Sequence, residues 1–455
     1  MQNWDEYLTN NKDRFLDELK TLLKIPSVST YKQSRIEMDR CAKYIKDQLI
    51  LAGCDRSEVC STPGWPLVFG ETITDANKPT VLVYGHYDVQ PADPLDLWDS
   101  APFEPVVKEG KIFARGASDD KGQMFMHIKA LEVMVKTGNL PCNIKFIIEG
   151  EEETGSGSLN GFLKENKEKL SADVVLISDT AMISMEHPSL EIALRGMAYM
   201  QVGITGPDHD LHSGVYGGAV ANPVNILCKM IASLHDENNV INIPGFYDKV
   251  LEVPAQEREK INGVPFNLKE YQEELGIEEV WGEKGYTVLE RTGIRPALDV
   301  NGIWGGFTGE GAKTVLPSKA YAKISMRLVP DQNPDEIARL FSEHFKRIAP
   351  KSVKVKIDFI HGGQPVVTEL NSTGYRAATK AIKTTFNKEP FRVYSGGSIP
   401  VVAYFKEFLG IDSILMGFGL DNDNIHSPNE KMDLVNFYKG IETIPYFHKY
   451  FSELK

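Results

Sequence analysis

Residues 143–157, NIKFIIEGEEETGSG, combine an apolar run with three consecutive glutamates and a glycine-rich turn. Ile144, Phe146 and Ile148 alternate with neighbours that are also mostly apolar, which predicts a strand buried on both faces, as in a parallel sheet. The glutamates follow at the carboxyl end of this strand, where open α/β sheets bind their ligands. Adjacent carboxylates repel one another unless a cation neutralises them, so the stretch predicts a metal site.

The composition is that of a globular protein with more than one domain. The chain has 455 residues, and its net charge of −13 comes from acidic residues spread along its length, which argues against nucleic acid or membrane partners. Neither a targeting segment nor a bilayer-spanning run is visible, and the five cysteines show no paired spacing. We therefore expect a cytoplasmic protein with reduced thiols.

Helical and strand patterns alternate in the first third of the chain, which predicts βαβ units and a mainly parallel sheet. The predicted elements are helices at 11–24 and 34–52, strands at 66–70 and 80–85, a hairpin around 108–111, a helix at 121–136, the strand at 143, a helix at 159–170 and a strand at 173–178. The same rhythm resumes after residue 369. There the predicted elements are helices at 372–386 and 399–408 and a strand at 412–418.

The middle third has a different pattern. Residues 191–205 predict a hairpin pair of strands, 222–234 a helix, and 320–328 a half-exposed antiparallel strand. Residues 254–311 are irregular and dotted with glycine, which favours a functional loop over compact core.

We therefore expect an α/β fold in which a domain with helices on both faces of a mainly parallel sheet carries an inserted α+β domain. The first domain is predicted over 1–189 and 370–455 and the insert over 190–369.

Four predicted strands are each followed by residues that can bind a metal. The first strand delivers His86 and Asp88, which share a face on an extended chain, so that the carboxylate can hold one imidazole nitrogen while the other binds metal. Later strands deliver Glu153, Asp179 and His426. For each residue taken alone, a solvated loop is the simpler interpretation.

A fifth position lies in the turn RGASDDKGQ, residues 115–123. One of Asp119 and Asp120 can cap the following helix, and the other is then available to a cation.

Together, His86, Asp119, Glu153, Asp179 and His426 can line one site. Imidazole with carboxylate and no thiolate suits zinc, manganese or cobalt in a catalytic rather than a structural site. Two divalent ions are balanced by three carboxylates and a bridging hydroxide, which favours a two-metal hydrolytic centre.

Eight motifs between about residues 80 and 435 closely resemble the co-catalytic zinc peptidases of the carnosinase and cytosolic non-specific dipeptidase type, relatives of acetylornithine deacetylase and succinyl-diaminopimelate desuccinylase. The motifs, in order, are HYDVQP, RGASDDKGQ, EGEEETGS, ISD, DLHSGVYGG, SMRLVP, GGSIP and NIHSPNEK. DLHSGVYGG and GGSIP point to the dipeptidase branch.

The resemblance implies a role for each residue of the site. Asp119 bridges two metal ions, zinc or manganese. His86 and Asp179 complete the coordination of one ion, and Glu153 and His426 complete that of the other.

The resemblance also implies catalytic residues beside the metals. Glu152 is the general base that takes a proton from the bridging water and passes it to the leaving amine. Asp88 orients His86, and the Asp119–Asp120 peptide is cis.

In the inserted domain, the resemblance implies a lid that also forms a homodimer. His212 reaches the partner's site and stabilises the oxyanion, while Arg327 binds the substrate carboxylate. Thr314 and Ser398 line the substrate pocket. Without the resemblance, His212 is more simply a polar loop residue and Arg327 a solvated cation.

Two departures from the family pattern leave questions open. Glu151 replaces an expected apolar residue, and it either raises the pKa of Glu152 or faces solvent. Residues 361–370, HGGQPVVTEL, do not clearly reproduce the pocket wall of the family, which leaves the substrate preference open.

The sequence thus predicts a metal-dependent dipeptidase acting on dipeptides or short peptides. The alternatives are an N-acyl-amino-acid amidohydrolase with the same metal centre and, from another class, a non-catalytic metal-binding dimer scaffold. An intact general base and ligand set argue against the scaffold.

Overall fold

The structure, a computed structural model, describes residues 3–397 and 399–455 and forms two compact units. The first unit extends to Ile192 and includes Thr368–Val393 and Pro400–Lys455. The second unit comprises Ala193–Val367 and Tyr394–Ile399. Ser398, expected to line the substrate pocket, lies outside the described residues.

Two helices open the chain and lead into strands that alternate with helices, as predicted. The elements up to Ile177 are α1 (Trp4–Leu23), α2 (Arg35–Ala52), β1 (Arg56–Cys60), β2 (Leu67–Thr72), β3 (Thr80–His86), β4 (Val106–Lys108), β5 (Lys111–Phe113), α3 (Lys121–Lys136), β6 (Asn143–Glu149), α4 (Leu159–Glu165) and β7 (Val174–Ile177). Helix α4 ends before the predicted Leu170, and the side-chain amide of Asn166 bonds to the carbonyl of Phe162 at its end.

The middle of the chain is richer in strands. Its elements are β8 (Ser189–Leu194), β9 (Gly196–Thr205), β10 (Leu211–His212), α5 (Ser213–Tyr216), α6 (Pro223–Ala232), α7 (Ala255–Asn262), α8 (Leu268–Leu275), α9 (Val288–Gly293), β11 (Ala297–Gly305), β12 (Val315–Leu316), β13 (Lys319–Leu328), α10 (Pro334–Ile348), β14 (Lys354–Gly363) and β15 (Val366–Val367).

The last part of the chain returns to alternating strands and helices. Its elements are α11 (Thr373–Phe386), β16 (Phe391–Ser395), α12 (Pro400–Tyr404), a π-helical turn (Phe405–Leu409), β17 (Ser413–Leu415), β18 (Lys431–Asp433) and α13 (Leu434–Leu454). The predicted helix at 399–408 is thus divided between α12 and the π-helical turn.

The main sheet of the first unit has the strand order β1-β2-β6-β3-β7-β17-β8. β3 is parallel to β6 and β7, and β17 is parallel to β7, which confirms the mainly parallel sheet. β1 and β2 add an antiparallel edge. Because parallel strands end at the same edge, the residues that follow β3, β6, β7 and β17 emerge close together.

The sheet of the second unit is antiparallel, with the order β11-β13-β9-β14. Along β9, buried and half-buried residues alternate strictly, and the buried face joins helices α6 and α10 in one apolar core. The half-exposed antiparallel strand expected at 320–328 is confirmed as β13.

The hairpin predicted at 191–205 is wrong. Two strands form there, β8 and β9, but they belong to different sheets. β8 pairs with β17, whereas β9 pairs with β13 and β14 on its two sides. Only Arg195 separates the two strands, which is too short for a hairpin turn. Alternation in the sequence predicted the strands correctly but not their partners.

The prediction of an irregular loop at 254–311 is also wrong, because the segment contains α7, α8, α9 and β11. Two of these helices carry local start signals. Asn267 caps α8 through its side chain, and Thr287 forms a capping box with Glu290 at the start of α9. The frequent glycines led to the prediction of a loop, although short helices form there.

No helix of the described ranges is both long and apolar enough to cross a membrane.

Candidate metal centre

The first group of possible metal ligands contains His86, Asp119 and Asp179. His86 ends β3, and its side chain is fully buried. Its Nε2 lies 3.0 Å from Oδ1 of Asp119 and 3.7 Å from Oδ2 of Asp179. The strand ends therefore converge as the sequence predicted.

The second group contains Asp119, Glu153 and His426. Nε2 of His426 lies 2.8 Å from Oδ2 of Asp119 and 3.3 Å from Oε2 of Glu153. Asp119 thus belongs to both groups and offers one carboxylate oxygen to each. This is the position that a ligand shared by two ions requires.

The donor set fits divalent metal ions. In each group the ligand atoms lie within 4.8 Å of one another and come from imidazole and carboxylate alone. Such mixed sets are typical of catalytic zinc sites and also suit manganese.

The electrostatics of the cluster also favour a bound cation. Burial raises the pKa of Asp179 to about 7, and the charges of Asp119 and Glu153 add to this effect against that of His86. Hydrogen bonds to Asp119 and Glu153 raise the pKa of His426 to about 10. In the absence of metal the cluster therefore takes up protons to neutralise its negative charge, and a metal ion replaces them when it binds.

Glu152 lies beside these ligands in the turn that follows β6. Burial, together with the charges of Asp179, Glu153 and Asp119 and against that of His86, raises the pKa of Glu152 well above its usual range. A carboxyl group in such surroundings can hold a proton at neutral pH.

Asp88 fixes the backbone of this turn. Its Oδ1 accepts the backbone N–H of Glu152 at 3.2 Å, and its Oδ2 accepts that of Glu153 at 3.1 Å. Nδ1 of His86 lies 3.0 Å from the carbonyl oxygen of Asp88 and 3.4 Å from its Oδ1. The imidazole of His86 is thus closer to the backbone carbonyl of Asp88 than to its carboxylate, which the sequence predicted as the partner.

The peptide between Asp119 and Asp120 is cis, as the family resemblance implied. Asp120 occupies the N-cap position of α3 but makes no side-chain cap hydrogen bond. Its Oδ2 instead accepts the backbone N–H of His86 at 3.1 Å. The expectation that one of the two aspartates caps the helix is therefore wrong, because the tertiary partner replaces the local one.

The carboxylate of Glu151 bonds to the backbone and does not simply face solvent. Its Oε1 accepts the backbone N–H of Trp65 at 2.9 Å, and its Oε2 accepts that of Ser158 at 2.8 Å. A Cβ at Gly64 would lie 1.5 Å from Oε1, so the glycine makes room for this carboxylate. Glu151 is therefore a clamp between two loops.

Sequence analysis missed Glu430, which is fully buried and supports the turn that carries Asp119. Its carboxylate accepts the backbone N–H groups of Gly116, Ser118 and Asp119 at 2.9, 3.0 and 3.1 Å and pairs with Nη1 of Arg115 at 2.8 Å. The residue lies within the motif NIHSPNEK, which was the available signal.

Sequence analysis also missed two glutamines. Nε2 of Gln90, in the motif HYDVQP, donates to Oε2 of Glu153 at 2.7 Å. Gln123 donates to the carbonyls of Ser118 and Thr180 and accepts the backbone N–H of Phe418, so it ties three loops of the first unit together. These bonds orient a possible ligand and the loops around it.

Of the residues expected to contact substrate, His212, Thr314 and Arg327 lie in the second unit. The exposed His212 pairs with Val315 between β10 and β12, and the backbone N–H of Ser213 donates to the carbonyl of Thr314 at 3.0 Å. Nδ1 of His212 accepts the backbone N–H of Gly214 at 3.0 Å, so the neutral ring carries its proton on Nε2.

Arg327 lies near the end of β13, between Ala297 and Met197 of the neighbouring strands. Burial lowers its pKa against the favourable charge of Asp299. The structure therefore places a half-buried guanidinium on the sheet of the second unit.

A fold of this type with two metal-ligand groups joined by one aspartate defines a class of metal-dependent hydrolases. The sequence matches the family model described as Peptidase family M20/M25/M40 over residues 82–449. The chain belongs to this peptidase family.

Full-length relatives agree with this assignment. The chain is 34% identical to the Cys-Gly metallodipeptidase dug1 of Schizosaccharomyces pombe, with 96% of this chain and 95% of the relative covered. It is 31% identical to the Beta-Ala-His dipeptidase of Rattus norvegicus, covering 99% and 95%. The crystal structure of human carnosine dipeptidase 1 superposes with a TM-score of 0.85 at 31% identity, covering 99% of this chain and 98% of that one.

Proposed function

We propose that this metallopeptidase is a dipeptidase that uses two divalent metal ions per subunit. The observation that carries the proposal is the position of Asp119, whose two carboxylate oxygens face His86 at 3.0 Å and His426 at 2.8 Å. Names of full-length relatives, a Cys-Gly dipeptidase and a β-Ala-His dipeptidase, support dipeptides as the substrates.

In this proposal, His86, Asp119 and Asp179 hold one ion, and Asp119, Glu153 and His426 hold the other. The ions are zinc or manganese, since both accept imidazole and carboxylate. When bound, they polarise the scissile carbonyl and lower the pKa of the attacking water.

Glu152 acts as the general base and then as the acid. In its ionised form it accepts a proton from the attacking water, which its raised pKa makes more favourable, and it then donates this proton to the leaving amine. Asp88 is a positioning residue, because its carboxylate fixes the backbone of Glu152 and Glu153.

Residues of the second unit bind the substrate. Nε2–H of His212 donates to the negative charge that develops on the carbonyl oxygen, in the tautomer that its bond from Gly214 favours. Arg327 binds the free carboxylate of the dipeptide through its guanidinium. Thr314 and Ser398 line the pocket.

We further propose a cytoplasmic homodimer in which the second unit serves as lid and dimerisation domain and His212 reaches the site of the partner subunit. The exposed side chain of His212 supports this role. All five cysteines are free in the structure, which supports a reducing compartment.

The deciding experiment compares a panel of dipeptides with matched N-acyl amino acids, using chelated protein reconstituted with zinc or manganese. Metal-dependent cleavage of dipeptides alone supports the proposal and identifies the effective ion. Cleavage of acyl compounds alone would assign the protein to the amidohydrolases, and inactivity on both panels would favour a non-catalytic scaffold.

A further inference from the structure

Residues Tyr394–Ile399 belong to the second unit, although the chain on either side of them belongs to the first. The segment includes Gly396 and Gly397 of the motif GGSIP. Arg195 bonds to both glycines. Its backbone N–H donates to the carbonyl of Gly397 at 3.1 Å, and its Nε donates to that of Gly396 at 3.1 Å.

The other end of the Arg195 guanidinium contacts the last turn of α9 and Arg295, which follows this helix. Nη1 donates to the carbonyls of Arg291 and Arg295 at 3.4 Å each. Burial and then the charge of Arg327 lower the pKa of Arg195 to about 10, so it still carries its charge at neutral pH. A positive charge is favourable beside carbonyls at a helix end. Arg195 thus joins α9 to the Gly396–Gly397 backbone.

The space around this contact is tightly filled. A Cβ at Gly396 would lie 3.0 Å from Nη2 of Arg195 and 3.1 Å from the carbonyl oxygen of Thr292. A Cβ at Gly293 would lie 2.6 Å from Cβ of Tyr394. A Cβ at either glycine would therefore shift residues 394–397 away from α9 or move the guanidinium of Arg195.

We propose that Arg195 is a positioning residue for substrate binding, which fixes the Gly396–Gly397 backbone of the motif GGSIP. The inference rests on the proposed function, because the motif GGSIP is assigned to the substrate pocket only there. Arg195 contributes to substrate affinity and not to metal binding, since every proposed metal ligand belongs to the first unit.

The test measures kcat, KM and metal content for Arg195→Lys, Arg195→Ala and Gly396→Ala with a dipeptide substrate. Lysine keeps the charge but cannot bond in several directions as the planar guanidinium does. We expect KM to rise about tenfold or more, because small displacements of a substrate-positioning group have large effects, while metal content and kcat stay near wild type.

Guanidinium ion should lower the KM of Arg195→Ala, since a cavity of about 390 Å³ is lined by Arg195 and gives the ion access to the vacated position. It should have no such effect on Gly396→Ala, in which Arg195 is present. Matched controls are Gly302→Ala, whose Cβ would meet no atom within 4 Å, and Arg339→Ala, an exposed arginine paired with Glu343. Both should keep the wild-type KM.

A purely structural role would lower thermal stability and the active fraction but leave KM unchanged, and that result would overturn the proposal. If Arg195→Ala does not fold, Arg195→Lys and Gly396→Ala decide the question. Wild-type protein without activity on dipeptides would contradict the proposed function itself, whereas an active wild type with unchanged variants would contradict only the role of Arg195.

Discussion

Oδ1 of Asp88 accepts the backbone N–H of Glu152 at 3.2 Å. The residue expected to orient an imidazole thus also holds the backbone of the proposed general base.

Asp88→Asn removes the negative charge and leaves one carbonyl oxygen in place of two carboxylate oxygens. We expect activity or metal affinity to fall about 10–100-fold, as is usual when residues that support a metal site are changed. Asp96→Asn, at an exposed position, is the control.

Replacing Glu152 by glutamine removes the group that accepts the proton. The variant should retain both metals, as measured by elemental analysis, and its kcat should fall by about several hundred-fold or more. Turnover near that of wild type would contradict the assignment.

Glu151→Gln is the matched control for Glu152, because it changes the adjacent carboxylate in the same way. Glu151 accepts backbone N–H groups of Trp65 and Ser158, so its loss should lower the free energy of unfolding by about 1–3 kcal/mol. Catalysis by the folded variant should persist. An equal loss of kcat in both variants would mean that neither carboxylate has a specific role as base.

The proposed shared site makes a prediction about mixed dimers. His212→Ala should lose most activity and stay dimeric, as measured by light scattering. When it is mixed with Glu152→Gln and the subunits exchange, half of the dimers are mixed and one site in each is complete. Activity should therefore return to about a quarter of the wild-type value. Persistent inactivity after proven exchange would exclude a role of His212 in the partner's site.

Arg327→Ala should mainly raise KM for substrates with a free carboxylate, because the guanidinium is the proposed partner of that group. Kinetics on a dipeptide and on its C-terminal amide measure this. The amide should already bind weakly to wild type and change little in the variant. An equal increase for both substrates would contradict the carboxylate contact.

Metal affinity should depend steeply on pH. Without metal, hydrogen bonds to Asp119 and Glu153 raise the pKa of His426 to about 10, and burial raises that of Asp179 to about 7. Both groups must lose their protons to bind an ion, so binding releases protons and weakens as pH falls. The apparent affinity should change about tenfold per pH unit for each proton displaced. Competition with a chelator between pH 6 and 8 gives the slope, and a flat profile would argue against these ligands.

Local patterns in the sequence predicted most of the secondary structure of the first unit. The apolar run before Glu149 and the strand before His86 could be recognised because buried parallel strands are nearly continuously apolar. Pairing could not be recognised in the same way. β8 and β9 alternate like a hairpin, yet each pairs with strands far away in the chain.

The sequence by itself determined the α/β class, the order of the motifs and the residue types that gather at the strand ends, because these depend on local periodicity and on the chemistry of imidazole and carboxylate. Only the tertiary structure decided how those residues are held. Glu430 bonds to the turn around Ser118, and Asp88 bonds to Glu152, across long stretches of chain. Such hydrogen bonds leave no periodic signal, since they depend on which loops the packed strands bring together.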